Sequence, residues 1–158
     1  ERAVETITAL KEGDFERLAT IVHPEKGVRF SLYTFVSEDD IVFSSGEMRN
    51  FLQINKEYLW GYGDGTGYPI RSTPLEFYNK SLYPRDYAHA PEINYNSAPI
   101  QRGNTGNNVF SFYQDPIEVE YHFPGISNIN AWVSLKLVFE EYNSKWYLVG
   151  IVQDSWTI

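Results

Sequence analysis

The sequence predicts an α+β fold in which amino-terminal helices cover one face of an antiparallel sheet. Three observations lead to this prediction. Two short amphipathic helical patterns come first, strand-like segments dominate the second half, and residues 131–156 form a long hairpin pattern. In that pattern, two runs rich in β-branched and aromatic residues flank a polar Asn143-Ser144 pair, which is typical of a tight turn. A length of 158 residues predicts one domain, 1–158.

The hairpin is predicted to bury one of its two faces, because successive side chains on a strand point to opposite sides of the sheet. With a two-residue turn, the predicted apolar face carries Val133, Leu135, Leu137, Phe139, Trp146, Leu148, Gly150, Val152, Asp154 and Trp156. The outer face is mixed and predicts either a solvated surface or a homodimer contact. Its contact patch consists of Val138, Tyr147, Val149 and Ile151, rimmed by Lys136, Glu140 and Lys145.

Asp154 is the unusual residue on the predicted apolar face, since the only other ionisable group there, Glu141, is beside the turn. Two interpretations stay open. Burial would raise the pKa of this carboxyl, and such groups are enriched at functional sites. Alternatively, the strand end reaches the rim of the sheet and Asp154 meets water.

Two helices are predicted at the amino-terminal side. Residues 2–11 place apolar side chains at helical spacing, and Gly13 interrupts the pattern. Asp14 is a suitable cap for the second helix, which ends before Pro24 because the residue preceding a proline disfavours the α conformation. The apolar face of this second helix carries Phe15, Leu18, Ala19 and Val22.

The middle of the chain alternates predicted strands and helices. Strands are expected at 28–36 and 41–43. Residues 44–47 have capping-box spacing and start a helix that runs through Leu52. Residues 73–76 repeat that spacing and add a proline at the first helical position.

Residues 58–68 are rich in glycine and aromatic side chains. No Gly-Lys-Ser/Thr follows, which argues against a phosphate loop, and Asp64 lacks the acidic partners of a calcium loop. Two interpretations stay open for Tyr58, Trp60 and Tyr62. They form a platform of rings for a ligand, or they belong to a hairpin whose rings pack on the core.

Residues 84–108 are rich in proline, glycine and asparagine, which is typical of a lid, a binding loop or a mobile segment. Residues 109–113 and 117–123 are predicted strands. On the second of these, the alternation places Ile117, Val119, Tyr121 and Phe123 on one face and Glu118, Glu120 and His122 on the other.

Composition excludes several classes of function. The net charge is -8 and the basic residues are scattered, which argues against binding to nucleic acid or to an anionic membrane surface. The absence of cysteine excludes disulfides and thiolate metal ligands. No run approaches the roughly 20 apolar residues that span a bilayer, and no cofactor is predicted.

The histidines do not predict a metal site. Glu120 and His122 share a strand face, but two ligands do not make a site, and a contact of Glu118 or Glu120 with Lys136 across the strands is the favoured alternative. His23 precedes Pro24 and is interpreted as a helix-end residue that meets the last carbonyls.

Four segments carry a resemblance to a known group: 23–31, 58–67, 119–125 and 137–158. They resemble the nuclear-transport-factor-like (cystatin-like cone) superfamily, and more closely an uncharacterised group of bacterial cell-envelope lipoproteins and secreted domains. The resemblance implies a cone-shaped domain with a pocket between helices and sheet. It also implies an exported protein whose only membrane contact is a lipid anchor upstream of Glu1.

The expected function is a non-enzymatic binding module at the cell surface, and no catalytic signature is present. Aromatic rings with a few polar groups suit a sugar, a peptide or a small apolar molecule. The predicted ligand-binding residues are Tyr33, Trp60, Tyr62, Asp64, Tyr121, Asp154 and Trp156. The alternative is an isomerase-like or cyclase-like enzyme, with Asp154 as the base and Tyr33 or Tyr121 beside the developing oxyanion.

Overall fold

The computed structural model describes residues 1–96, 102, 106–125 and 131–156, and it shows an α+β chain. The helices are α1 (Arg2–Glu12), α2 (Phe15–Ile21), α3 (Ser45–Arg49), α4 (Pro74–Phe77) and α5 (Val109–Phe112). The strands are β1 (Val28–Ser31), β2 (Ile41–Phe43), β3 (Tyr58–Tyr62), β4 (Pro69–Ser72), β5 (Glu92–Tyr95), β6 (Ile117–Phe123), β7 (Val133–Tyr142) and β8 (Lys145–Ser155). Short 3₁₀ turns cover Phe51–Gln53 and Tyr87–His89, and a π-helical turn covers Tyr78–Leu82. None of the helices described is long and apolar enough to cross a bilayer.

Six strands form one sheet in the order β2-β1-β8-β7-β6-β5, and β3 and β4 form a separate hairpin. All neighbouring strands are antiparallel except β1 and β8, which are parallel. The predicted hairpin is confirmed as β7 and β8. Asn143 and Ser144 have φ angles of 49° and 64°, which are the left-handed values that a type I′ turn requires.

A β-bulge interrupts the pairing of β7 with β8. Phe139 is opposite Leu148, but the next residue, Val138, is opposite Gly150, so Val149 is an extra residue on β8. Beyond a bulge of this kind the alternation of side chains shifts by one position. The prediction that Gly150, Val152 and Asp154 share a face with Leu135 and Phe139 is therefore wrong. These three residues lie on the opposite side of the sheet.

The face of the sheet that carries Leu135, Leu137 and Phe139 is termed the first face. Each of these side chains is buried, as is Leu148, which confirms the predicted apolar side of the hairpin up to the bulge. Helices α1, α2 and α3 cover this face, and the core between them includes Leu10, Leu18, Met48 and Phe51. Ile151 joins this core because the bulge turns it inward.

The opposite, second face carries Ser134, Lys136 and Val138. It is also covered, because Val36, Val109 and Tyr113 of the same chain pack on Val138, Val149 and Val152. Most of the contact patch predicted on this face is therefore covered: Val138 and Val149 are buried, Ile151 belongs to the first-face core, and Lys136 is 1% exposed. Tyr147 is half-buried, and Lys145 is exposed.

Two of the predicted strands differ in the structure. Residues 109–113 form α5 and the turn after it, because the amides of Phe112 and Tyr113 bond back to the carbonyls of Asn108 and Val109. The Asn108 side chain pairs with the backbone of Val36 in both directions, at 2.6 and 2.9 Å, and anchors this turn on the second face.

The predicted strand over 28–36 ends at Ser31. The chain then bends away from the sheet, because Asp40 Oδ2 accepts hydrogen bonds from Ser31 Oγ and from the Ser37 amide at 2.7 and 2.9 Å. Of the predicted turn-rich segment 84–108, residues 97–101 and 103–105 lie outside the described part of the chain.

The predicted helix caps are confirmed. Asp14 accepts a hydrogen bond from the Arg17 amide at the start of α2. Capping boxes start α3 and α4, formed by Ser44 with Glu47 and by Thr73 with Glu76. His23 differs from its interpretation, since its Nδ1 accepts from the amides of Glu25 and Lys26 at 3.1 and 3.0 Å instead of meeting the last helical carbonyls.

Candidate functional site

The structure separates the residues predicted to bind a ligand. Three of them line one pocket: Tyr33, Trp60 and Tyr62. Asp64 lies in the turn that follows Tyr62 in the same hairpin. Four of the seven predicted residues are thus in one region.

The other three lie elsewhere. Tyr121 is 2% exposed and belongs to the first-face core, while Asp154 lies on the second face and is 6% exposed. Trp156 follows β8 and is 44% exposed. An enzyme site in which Tyr121 assists Asp154 is not compatible with this geometry, because the two side chains lie on opposite faces of the sheet.

The pocket between the segment 32–40 and strand β3 is termed the aromatic pocket. Its volume is about 420 Å³. Four rings line it, from Tyr33, Phe35, Trp60 and Tyr62, together with the carboxyl-bearing residues Asp39 and Asp40. Phe35 and Tyr62 are 60% and 56% exposed, so the pocket presents apolar surface that nothing in the described chain covers.

The β3 strand turns its rings in different directions. A bulge lies between Leu59 and Gly61, and Trp60 at this point is 3% exposed, with its Nε1 donating to the Ser72 carbonyl at 3.0 Å. Trp60 stacks on Phe77, with 3.9 Å between ring centroids. The interpretation that this ring packs on the core is confirmed, and the three-ring platform is wrong, because Trp60 forms the floor of the pocket and Tyr62 stands in solvent.

Hydrogen bonds hold the wall opposite β3. Tyr33 Oη donates to the Tyr62 carbonyl at 2.7 Å and joins the two sides of the aromatic pocket. Behind the wall, Arg29 Nη1 donates to the carbonyls of Ser37, Glu38 and Asp40 at 2.9, 3.1 and 3.1 Å. These bonds fix the backbone on both sides of Asp39, so the pocket is formed before any ligand arrives.

A second polar region lies on the second face and is termed the charged cluster: Arg102, Glu118, Glu120, His122, Ser134, Lys136 and Asp154. Strand register assembles it. His122, Ser134 and Asp154 are directly opposite one another across β6, β7 and β8, and Glu120 is opposite Lys136 in the next row. The predicted placement of Glu120 and Lys136 as cross-strand neighbours is confirmed.

Glu120 is the best-paired carboxylate of the cluster. It accepts from Arg102 through both oxygens, at 3.0 and 2.9 Å, and Asn94 Nδ2 adds a third bond at 3.0 Å. Bidentate pairing of this kind is strong and directional. Burial alone would raise the pKa of Glu120, but the bonds from Arg102 and the charge of Lys136 outweigh burial and lower the pKa.

Asp154 and Glu118 are paired less well. Lys136 Nζ lies 3.9 Å from Asp154 Oδ2, which is longer than a hydrogen bond, and Glu118 Oε2 has no hydrogen-bond partner among the described residues. Burial raises the pKa of Asp154 to about 6, against the opposing charge of Lys136. Burial likewise raises the pKa of Glu118. Three carboxylates thus share two cations, and the cluster readily retains a proton.

The surroundings of His122 favour the neutral form of its ring. Its Nδ1 lies 2.7 Å from Ser134 Oγ, and its centroid lies 6.0 Å from that of Trp132. Burial and the charge of Arg102 lower the pKa of His122. Within the described ranges, no three His, Asp or Glu side chains are arranged to hold a metal ion.

Asp154 should make the folded protein less stable as the pH rises, because its pKa is raised in the folded state. Its folded-state pKa of about 6 exceeds the ordinary value of 3.8, so its contribution to stability is complete below the lower value and is lost as the pH rises through the upper one. We expect the free energy of unfolding to fall by about 1–3 kcal/mol between pH 4 and pH 7 from this group. Asp154→Asn should lack that part of the decline, as measured by urea denaturation with tryptophan fluorescence.

The matched control for this experiment is Asp39→Asn, which changes an exposed carboxylate. Its pH profile should parallel that of the wild type. Parallel profiles for the wild type and Asp154→Asn would mean that Asp154 ionises normally in the folded protein.

Several residues of both regions were not predicted. Phe35 lies near the end of the predicted strand 28–36, and Asp39 lies between that strand and the predicted strand 41–43. Only the hydrogen bonds of Arg29 and Asp40 bring these two residues to the pocket. The alternation of Glu118, Glu120 and His122 did indicate a common face. No sequence signal shows that this face is buried, because its cover comes from distant segments of the chain.

Comparison with protein-family models, with curated proteins and with solved structures finds no match to this chain.

Proposed function

We propose that this chain is a binding module and that the aromatic pocket is its ligand site. One observation carries the proposal: exposed rings of Phe35 and Tyr62 flank a preformed pocket that also contains two carboxyl-bearing residues. Binding sites for small molecules are typically concave, mostly apolar and marked by a few fixed polar groups. The ligand is a small molecule, a sugar ring or a single side chain of a peptide.

The size of the pocket fits this range of ligands. Its volume of about 420 Å³ lies in the range of about 300–1,000 Å³ that is common for ligand pockets. Tyrosine and phenylalanine present large apolar surfaces with few rotatable bonds, so little conformational entropy is lost when they contact a ligand. The bond from Tyr33 to the Tyr62 carbonyl reduces that loss further, since it joins both walls beforehand.

The experiment is a fragment screen by amide-resolved NMR on the wild type, with sugars, short peptides and aromatic and aliphatic fragments. We expect the shifts caused by bound fragments to map to residues 32–40 and 59–62. Phe35→Ala and Tyr62→Ala should each remove binding and leave the unfolding midpoint nearly unchanged, because both rings are more than half exposed.

Tyr68→Ala is the matched control for these variants. Tyr68 is 74% exposed and belongs to the same glycine-rich hairpin, but it does not line the pocket. Binding should persist in this variant. Fragments that map elsewhere, or that still bind both pocket variants, would contradict the proposal.

We also propose that the fold is a nuclear-transport-factor-like cone, as the sequence resemblance implies. The same resemblance implies that the chain belongs to an exported, lipid-anchored bacterial protein, and we propose this location as well. The placement of α1, α2 and α3 on one face of a six-stranded sheet supports the cone. A bulge at Val149 supports it as well, because a bulge bends the strand that contains it. The location is supported by the resemblance alone.

The alternative function is an enzyme that removes a proton beside a carbonyl group, with Asp154 as the base. The observation that favours it is the buried position of Asp154, 3.9 Å from the ammonium of Lys136, where burial raises the pKa of the carboxyl to about 6. A base with a pKa near neutrality is suited to proton transfer, and a nearby cation stabilises a developing oxyanion. Deuterium uptake by small ketones in D₂O tests it: the wild type should exceed Asp154→Asn, and equal uptake would exclude this role.

A further inference from the structure

We infer that the aromatic pocket selects organic cations, such as a quaternary ammonium group or the ammonium of a lysine side chain. This inference rests on the proposed function and adds the chemical class of the ligand. It depends on three properties of the pocket: its charge, its rings and the position of Arg29 behind its wall.

The charge of the pocket wall is one-sided. Asp39 and Asp40 contribute carboxylates, and no lysine or arginine is among the described residues that line the pocket. The residues outside the described ranges contain no lysine or arginine either. Asp64 lies beside Tyr33: burial raises the pKa of that phenol, a hydrogen bond from the Asp64 backbone lowers it, and the charge of Asp64 makes a smaller contribution that raises it. An anionic ligand would therefore be repelled from this site.

The two pocket carboxylates are not equivalent. The carboxylate of Asp40 already has two partners, since its Oδ2 accepts hydrogen bonds from Ser31 Oγ and from the Ser37 amide. Asp39 is exposed and lies between the backbone carbonyls that Arg29 holds. Asp39 is consequently the carboxylate that is free to approach a ligand, whereas Asp40 shapes the loop.

Two arginines lie near the pocket but do not line it: Arg29 behind the wall, and Arg71 on β4, opposite Leu59. Arg29 points its guanidinium at the carbonyls behind the wall and lies 5.1 Å from the ring centroid of Phe112, on the side of the second face. The bonds of Arg29 described here go to backbone carbonyls and not to the carboxylate of Asp39. The guanidinium is also engaged in three backbone bonds, so it is not available to swing into the pocket.

The rings supply the second attraction. A cation within about 6 Å of an aromatic centroid is stabilised by the negative face of the ring, by about 0.5–2 kcal/mol. Quaternary ammonium groups are recognised in this way because their charge is spread over apolar methyl groups, which lose little hydration on binding. A pocket with exposed rings of Phe35 and Tyr62 beside the carboxylate of Asp39 combines both attractions. A neutral sugar would use the rings but not the charge.

The test compares choline with 3,3-dimethylbutan-1-ol, in which a carbon replaces the quaternary nitrogen and the shape is retained. Both are titrated into the wild-type protein at low ionic strength and followed by amide-resolved NMR. We expect choline to bind at least about tenfold more tightly and its affinity to fall as salt is added. The shifts should map to residues 32–40 and 59–62.

Asp39→Asn should bring the affinity for choline to within about threefold of the affinity for the neutral compound. The affinity for the neutral compound itself should not change. Glu16→Gln is the control, because it removes one exposed carboxylate on α2 and changes the net charge equally. If Glu16→Gln also removed the preference, net charge and not the pocket would be responsible, and the inference would be overturned.

Failure of the inference differs from failure of the proposed function. Equal binding of the two compounds in the pocket would overturn selectivity for cations and leave a binding pocket in place. A pocket that bound neither compound but bound sugars in the fragment screen would do the same. If no fragment mapped to residues 32–40 and 59–62, both the inference and the proposed function would be wrong.

Discussion

Replacing Trp60 with alanine will lower the free energy of unfolding by about 3–5 kcal/mol, the usual cost of removing a large buried aromatic side chain. Trp60 is 3% exposed and stacks on Phe77 at 3.9 Å with 7° between the ring planes. Its Nε1 also donates to the Ser72 carbonyl, so truncation leaves that carbonyl without its partner. The change in stability is measured by urea denaturation followed by far-ultraviolet circular dichroism.

Trp156→Ala is the control for the loss of a tryptophan. Trp156 is 44% exposed, and its replacement should change stability by no more than about 1 kcal/mol. If Trp60→Ala matched Trp156→Ala in stability and lost only ligand binding, Trp60 would be a ligand platform, and the description of its ring as part of the core would be wrong.

Replacing Lys136 with methionine will destabilise the protein by about 3–5 kcal/mol at pH 8. Lys136 is 1% exposed, and its removal leaves Glu118, Glu120 and Asp154 with Arg102 as the one remaining cation of the cluster. Methionine retains most of the side-chain volume of lysine, so the loss of stability is caused more by the missing charge than by poorer packing. At pH 4 the loss should be smaller, because carboxyl groups with raised pKa values are then protonated.

A second variant distinguishes charge from packing. Lys136→Met combined with Asp154→Asn removes one cation and one carboxylate, and it should recover part of the stability lost by Lys136→Met alone. Lys145→Met serves as the control, because Lys145 is exposed at the start of β8. A Lys136→Met protein as stable as the wild type at pH 8 would show that the cluster does not depend on this cation.

The parts of the fold that follow from local sequence were predicted well. Asn143 and Ser144 alone indicate the turn of the long hairpin, and Ser44 with Glu47 alone indicate the start of α3. In each case the signal and the structure involve residues only a few positions apart. The burial of Leu135 and Phe139 follows from alternation along one strand, which is equally local.

The errors arise where distant segments decide the outcome. One extra residue at Val149 reverses the direction of Asp154, and nothing in the composition of β8 marks that position. The burial of Val138 depends on Val36 and Tyr113, which are far from it in the sequence. Alternation shows which side chains share a face, but it does not show whether that face has a cover.

The candidate site was predicted only in part, because segments far apart in the sequence form it. Tyr33 and Tyr62 do line one pocket, and each is in a segment rich in aromatic residues. Their meeting depends on the bond from Tyr33 Oη to the Tyr62 backbone and on a bend after Ser31, neither of which leaves a pattern in the sequence. Phe35 and Asp39 come to the pocket only through that bend.

The extra residue at Val149 also has a consequence for changes in chain length. Deleting it would restore strict alternation along β8 and keep the strand pairs, because Gly150 would directly follow Leu148 and stay opposite Val138. Ile151 would still face the helices, and Asp154 would stay on the second face. Deleting both Val149 and Gly150 would instead exchange the faces of every residue from Ile151 to Ser155. Asp154 would then enter the hydrocarbon interior beneath the helices, so the two-residue deletion should be far more damaging than the one-residue deletion.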